Sequence, residues 1–453
     1  MRTTGTMNAM RERLIKMFAR AAAAAVSAAA TAMLSGCTGL DASLDLLLSP
    51  PKLTESQTAI YNALIQNTGD QVELTYPRSG DYRSAFVIYD LDDEPTSEAI
   101  VFYRTQETSQ SEGGMRMCFL DQQDGEWFSV LDRPLTGRDV ESVSFSDFGK
   151  GTEIVVHCTM LGQTEQAVNV LEYNDGMVEE LYRGSYVFYE NTDMDSDGFT
   201  ELFLINYDAA LGCHTAHLIS YYETEEGETA FGAVSTVQLY ADLVTMQRMS
   251  RQKLEDNDFL VFLDYSKGSG VYGTQLLRCY GKNLTQIYSE GLSRRNNANT
   301  PIIYSIDIDG DGRIEIPTTT PLPGYENMMI PERLYTVDWY YANEEDKLFT
   351  ITRKSSAYIS AGLEYMFYIP VRWQGLVTVE KADSTVNFVK YGSEDILLSV
   401  YVQSTAISTM PSAVEGWRLY GSSDSFAVFI NTYGSEDAMS LTEDELQSCL
   451  VIV

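Results

Sequence analysis

Residues 186–208 read YVFYENTDMDSDGFTELFLINYD. Two runs rich in β-branched and aromatic residues enclose an acidic bend, the pattern of strand, turn, strand. Within the bend Asp193, Asp195, Asp197 and Glu201 alternate with other residues, and Gly198 stands where the chain must turn sharply. Alternate residues of a tight loop can converge on one point. Residues 301–320, PIIYSIDIDGDGRIEIPTTT, repeat the arrangement with Asp307, Asp309, Asp311, Gly312 and Glu315. An EF-hand needs flanking helices and a glutamate twelve residues into the loop. That position holds Leu204 in one loop and Thr318 in the other. The EF-hand is excluded. Oxygen donors in this number suit Ca2+, which accepts six to eight oxygens in flexible geometry. The plainer reading makes the same acids solvated caps at strand ends.

The unit recurs. Residues 85–103, AFVIYDLDDEPTSEAIVFY, form strand, acidic loop and strand, with Asp90, Asp92, Glu94 and Glu98 as a weaker metal set. Pro95 stands in that loop, and the glycine is missing. A hairpin with Asp124-Gly125 at its tip follows. Residues 143–160 repeat the first shape with most early acids gone, and residues 167–182 repeat the hairpin with Asp175-Gly176. Each round is about 45–55 residues and four strands long, the period of a β-propeller blade. The fold expected over 72–350 is a propeller of about five four-stranded blades. Six or seven follow if neighbouring blades have been merged, and an array of β-sandwiches is the competing architecture. The strand in QVELTYP, from Gln71 to Pro77, is placed to close the ring.

On either side the pattern changes. Thr54 and Gln57 make a reciprocal capping pair ahead of Ile60, Ala63 and Leu64, so an entry helix is expected within 53–71. Residues 351–453 carry a meander without acidic loops and then Ser440…Glu443, a helix start. A small α+β domain is expected there, with the boundary near 350.

With 65 acidic against 31 basic residues the formal charge is −34, which would repel nucleic acid phosphates. The first twenty residues carry Arg2, Arg11, Arg13, Lys16 and Arg20, followed by the apolar run AAAAAVSAAATAML and then Leu34-Ser35-Gly36-Cys37. The tetrapeptide resembles a bacterial lipobox. That resemblance implies a signal peptide over 1–36, lipidation of Cys37 and a tether over 37–52. It places the chain on the outer, extracytoplasmic face of a membrane. Acyl chains contribute roughly 0.8 kcal/mol per buried methylene, so two or three suffice as an anchor. The other cysteines are odd in number (Cys118, Cys158, Cys213, Cys279, Cys449) and sit in apolar stretches, which reads as buried thiols rather than a disulfide framework.

The acidic loops between strands resemble the calcium loops of integrin-type propellers, the FG-GAP and VCBS-repeat family. The resemblance implies structural Ca2+ held by Asp193, Asp195, Asp197 and Glu201, and by Asp307, Asp309, Asp311 and Glu315. It also implies binding or adhesion as the work. The whole layout resembles clostridial-type lipoproteins. The favoured reading is therefore a non-catalytic binding module for a protein or glycan ligand of the cell envelope. The alternative is an envelope glycan hydrolase with paired carboxylates on the propeller face. Other catalytic signals are slight. Cys213, His214 and His217 invite a zinc reading, but a strand turns His214 away from its neighbours. Ser250 and Lys253 have the spacing of a Ser-x-x-Lys motif without the companion motifs. Aromatic groups such as Trp339-Tyr340-Tyr341 and Trp373 read as blade core rather than sugar platforms.

Overall fold

The computed structural model describes residues 53–453 except 70–71, 93, 106–113, 163, 175, 288–290, 346–347, 383, 406–415 and 434–437. The lipobox Cys37, the leader over 1–36, the tether over 37–52 and the turn residue Asp175 lie outside these. The chain divides into two compact units, 1–61 and 62–453. Helix α1, Glu55–Thr68, begins in the first. Its start is the expected capping pair: the Gln57 N–H donates to Thr54 Oγ1 at 3.2 Å and the Thr54 N–H to Gln57 Oε1 at 3.1 Å. Among the described residues no helix is long and apolar enough to cross a membrane.

Unit 62–453 is mainly β, built from antiparallel sheets that follow one another along the chain. The first four sheets begin at Val72, Asp139, Phe188 and Thr245, and the fifth at Glu315 after a single bridge from Ile306. In the first four sheets the strands Glu98–Thr105, Glu153–Thr159, Glu201–Asp208 and Asp258–Gly268 lie inside the sheet and carry nearly unbroken apolar runs, whereas Glu315–Pro321 of the fifth has only the Ile306 bridge on its outer side. Such runs mark strands buried on both faces. Alternate side chains then serve alternate interfaces. Leu202 and Leu204 join the second sheet's Val155 and Val170 in one core, whereas Phe203 and Ile205 join the fourth sheet's Val261 and Leu263 in another. Further cores of this kind lie between the first and second sheets and between the fourth and fifth. None of these clusters joins the first sheet to the fifth. Among the described residues Val72–Leu74 pairs with Glu98–Thr105 in the first sheet, so the strand expected to complete the last blade adds an edge to the first instead.

The expected boundary near 350 falls within strand Leu348–Ile359, which is paired to Tyr335–Glu345 along its length. Beyond it a sixth sheet (Val377–Ala382, Thr385–Lys390, Ile396–Ser404, Phe426–Thr432, Arg418–Ser422) shares a core with Leu322, Leu334 and Tyr358 of the fifth. Helix α2, Glu443–Cys449, starts two residues later than the expected Ser440…Glu443 box. Its box is Thr442 with Glu445, a register that buries Leu446 and lets Arg372 grip Glu445 with both ends of its guanidinium. The Arg372 hydrogen bonds lower the Glu445 pKa to about 2.

Candidate cation loops and an inter-sheet cleft

Each acidic loop ends on a glutamate that opens the second strand of its sheet and is almost wholly buried: Glu98, Glu153, Glu201 and Glu315. In all four, Oε2 accepts a backbone N–H from the apolar residue near the start of the loop. The donors are Leu91 at 2.6 Å, Phe148 at 3.0 Å, Met194 at 2.8 Å and Ile308 at 3.0 Å. The glutamate therefore ties the loop to the strand in these four sheets, including the second, where the early acids are missing. One oxygen, Oε1, remains for something else.

The first loop brings Asp90, Asp92 and Glu98 together, with oxygens within 4.8 Å of one another. Glu94 is not part of this group, and its N–H donates to Asp92 Oδ1 at 3.3 Å. Burial raises the Glu98 pKa to about 7, helped by the Asp92 and Asp121 carboxylates and opposed by the Leu91 hydrogen bond.

In the second loop Asp193, Asp195 and Asp197 also converge within 4.8 Å. Each spends one oxygen on the turn: Asp193 Oδ2 takes the Gly198 N–H, Asp195 Oδ1 that of Asp197, and Asp197 Oδ1 that of Phe199. Asp193 Oδ1 is buried without a hydrogen-bond partner, an orphaned oxygen of the kind a cation satisfies. Lys282, from the turn between two strands of the fourth sheet, reaches Glu201 Oε1 at 3.0 Å and Asp197 Oδ2 at 3.4 Å. It also donates to Ser220 Oγ at 3.0 Å. Burial, then repulsion from Asp197, raises the Asp195 pKa, and burial raises that of Glu201. The donor set fits Ca2+.

The third loop gathers Asp307, Asp309 and Asp311 within the same span but is wired differently. Asp307 accepts four backbone N–H groups, from Asp309, Gly310 and Asp311 on Oδ1 and from Gly312 on Oδ2. These bonds, led by the one from Gly312, lower its pKa. Lys354 Nζ lies 2.7 Å from Asp309 Oδ2, 3.0 Å from Asp311 Oδ2 and 2.7 Å from Glu315 Oε1. Neither lysine is signalled by the spacing of the acidic motif, because Lys282 comes from a turn of another sheet and Lys354 from a strand further along the chain.

The remaining candidates are structural. Trp339 and Trp373 are buried. Both His217 ring nitrogens lie within hydrogen-bond reach of hydroxyl or amide oxygens, from Thr215, Asn206 and Thr236, and His214 packs edge-on to Tyr207. Among the described residues the three acidic groups alone bring together three side chains able to hold a metal. Ser250 and Lys253 lie three apart in strand Thr245–Glu255 and so point to opposite faces, and Lys253 pairs with Asp256. Cys118, Cys158 and Cys279 are buried free thiols.

A cleft of about 740 Å³ opens beside the second to fourth sheets, lined by Thr164, Glu165, Tyr207, His214, Val244 and Met246 among others. It sits where the second and third strands of sheets two and three connect. The acidic loops connect first and second strands, hence the opposite end of an antiparallel meander. Tyr207 is half exposed. Glu165 is the one acid among the described lining residues. Its Oε1 accepts the Tyr207 N–H at 3.1 Å and its Oε2 the Ser185 hydroxyl at 2.9 Å.

No family model and no curated protein matches the chain. Solved structures match it loosely. Exotype rhamnogalacturonan lyase YesX is 10% identical at a TM-score of 0.29, covering 81% of this chain and 63% of its own. A protein of unknown function from Dyadobacter fermentans DSM 18053 is 12% identical at 0.26, covering 80% and 98%. Exo-β-1,3-galactanase from Phanerochaete chrysosporium is 10% identical at 0.23, covering 74% and 80%. Likenesses this loose carry no fold, substrate or activity over to this chain.

Proposed function

We propose that this chain is a protein lipid-anchored to the outer, extracytoplasmic face of the membrane, whose β-propeller, stabilised by Ca2+, binds a protein or glycan ligand of the cell envelope without catalysing a reaction. The serial cores between consecutive sheets support the propeller arrangement. The orphaned Asp193 oxygen supports the cation. Because the acidic loops and the cleft occupy opposite ends of the sheets, the cation's part is structural.

The observation that carries binding over hydrolysis is the cleft. A glycosidase of the usual kind needs two carboxyl groups about 5–9.5 Å apart. Here Glu165 has both oxygens engaged by the fold, beside an exposed tyrosine ring suited to stacking on an apolar or sugar face. The test is retention of the chain lacking residues 1–36 on cell-envelope material, with Tyr207→Ala beside it. Retention should fall up to about tenfold in the variant, as losing roughly 0.5–1.5 kcal/mol of stacking implies. Release of reducing sugar by the wild type, abolished in Glu165→Gln, would establish the hydrolase instead.

A further inference from the structure

Four sheets share an irregularity that the pairing register exposes. In each, the fourth strand carries one extra residue, a β-bulge, at the same place: two pairs inward from the position opposite the buried glutamate. The bulged residues are Val130 (between Phe119↔Leu131 and Leu120↔Ser129) and Leu181 (between Val170↔Tyr182 and Leu171↔Glu180). The other two are Val234 (between Leu218↔Ser235 and Ile219↔Ala233) and Lys354 (between Trp339↔Ser355 and Tyr340↔Arg353). A bulge re-aims the side chain it carries. At three of these places that side chain is apolar. In the fifth sheet it is a lysine, and it is aimed at the acidic loop.

The fit is stoichiometric. An ammonium group has three N–H donors and no acceptor. Lys354 finds three carboxylate oxygens, from Asp309, Asp311 and Glu315, all within 3.0 Å. The fourth acid of the loop, Asp307, is already saturated by backbone N–H groups. Lys282 contrasts with this. It reaches two acids, spends a donor on Ser220, and leaves Asp193 Oδ1 unpaired.

We propose that Lys354 is the resident cation of the 307–315 loop, so that this loop is closed to Ca2+ despite its complete acidic pattern while the 193–201 loop keeps an exchangeable metal site. The first half concerns Lys354 alone; the second rests on the calcium reading given above. Lysine at the bulge replaces a metal ion that the fold would otherwise take from solution, and the loop stays ordered whatever the calcium concentration.

The experiment is a set of calcium-binding isotherms on wild type, Asp309→Asn, Lys354→Val and the Lys354→Val/Asp309→Asn pair, with Asp195→Asn as reference. Valine is the residue that this bulge carries in the first and third sheets, so the variant keeps a side chain the site accommodates. Asp309→Asn should leave the wild-type stoichiometry unchanged and the affinity within twofold. Lys354→Val should gain one equivalent of bound Ca2+, absent from the double variant. Loss of one equivalent in Asp309→Asn, or no gain in Lys354→Val, overturns the proposal. If wild type binds no Ca2+ and Asp195→Asn changes nothing, the calcium reading of the 193–201 loop fails, while the Lys354→Val result still decides the lysine.

Discussion

The loops at 193–201 and 307–315 share one acidic spelling and reach different electrostatic states. In the first, four carboxylates face a lysine that touches two of them, and one buried oxygen has no partner. In the second, the lysine satisfies three, and the backbone satisfies the fourth. Burial alone would lower the Lys354 pKa, but its bonds to Asp309, Glu315 and Asp311 raise it. A metal-binding spelling therefore specifies a cluster of negative charge and leaves open what neutralises it. That choice is made by residues delivered from another strand or another sheet.

The largest effect that could break the comparison is expected from the buried glutamates. Glu315→Ala frees the loop and leaves Lys354 without its buried partner, at a cost of about 3 kcal/mol by the usual penalty for breaking a buried pair. Glu201→Ala should cost more, because Lys282 then keeps one carboxylate, Asp197 at 3.4 Å, and the Ser220 hydroxyl, whereas Lys354 keeps both Asp309 and Asp311. Urea denaturation of both variants measures this. Equal losses would mean that the two lysines contribute alike and that the contrast between the loops is false.

Calcium dependence gives the next effect. A tenfold excess of Ca2+ over its dissociation constant should stabilise the wild type by about 1.4 kcal/mol relative to chelator. Asp195→Asn should abolish that increment and Asp309→Asn should preserve it. Calorimetry in calcium and in chelator reads both, and an increment lost equally in the two variants would show that both loops hold the ion.

The 90–98 loop sharpens the contrast through pH. Burial raises the folded Glu98 pKa from its ordinary value to about 7. Its stabilising contribution is therefore complete below the ordinary carboxylate range and is lost as pH rises through about 7. In chelator, wild type should gain stability on acidification from pH 7.5 to 5.5, and Glu98→Gln should show a shallower slope over the same window. Parallel slopes would mean that Glu98 titrates normally.

The smallest effect concerns one backbone position. Ser196 adopts φ +61°, where the matching residue of the other loop is Gly310 at φ +76°. A side chain in the left-handed region costs roughly 1–2 kcal/mol, and glycine's extra chain entropy offsets roughly 0.5–1 kcal/mol of that, so Ser196→Gly should stabilise the 193–201 loop by about 1 kcal/mol at most. A destabilised variant would mean that the serine side chain does more than tolerate the turn.

Much of this was legible in the residues. Alternating runs around the acidic bends located the sheets, and Thr54 with Gln57 marked the start of α1. Glycine at 198 and 312 marked positive-φ turns. Two things were not. The motif's spacing does not reveal that its glutamate also ties the loop to the strand, a bond that Glu153 makes even in a loop stripped of early acids. The lysines were hidden because their role depends on a bulge and on pairing between strands about forty to ninety residues from the loop, and no local pattern encodes either. The C-terminal segment misled for a similar reason. Its lack of acidic loops suggested a separate domain, but Leu322 and Leu334 pack among its side chains.

Strand Leu450–Ile452 pairs with Tyr365–Tyr368, on the edge of the fifth sheet. Everything from Tyr368 to Cys449, including the whole sixth sheet, must therefore leave the ribosome before that sheet can be completed. Until then Tyr365–Tyr368 presents open backbone donors and acceptors to any neighbouring strand. Chains halted before residue 450 should self-associate in a size-exclusion experiment while the full chain does not, which places the hazard in biosynthesis rather than in the finished molecule.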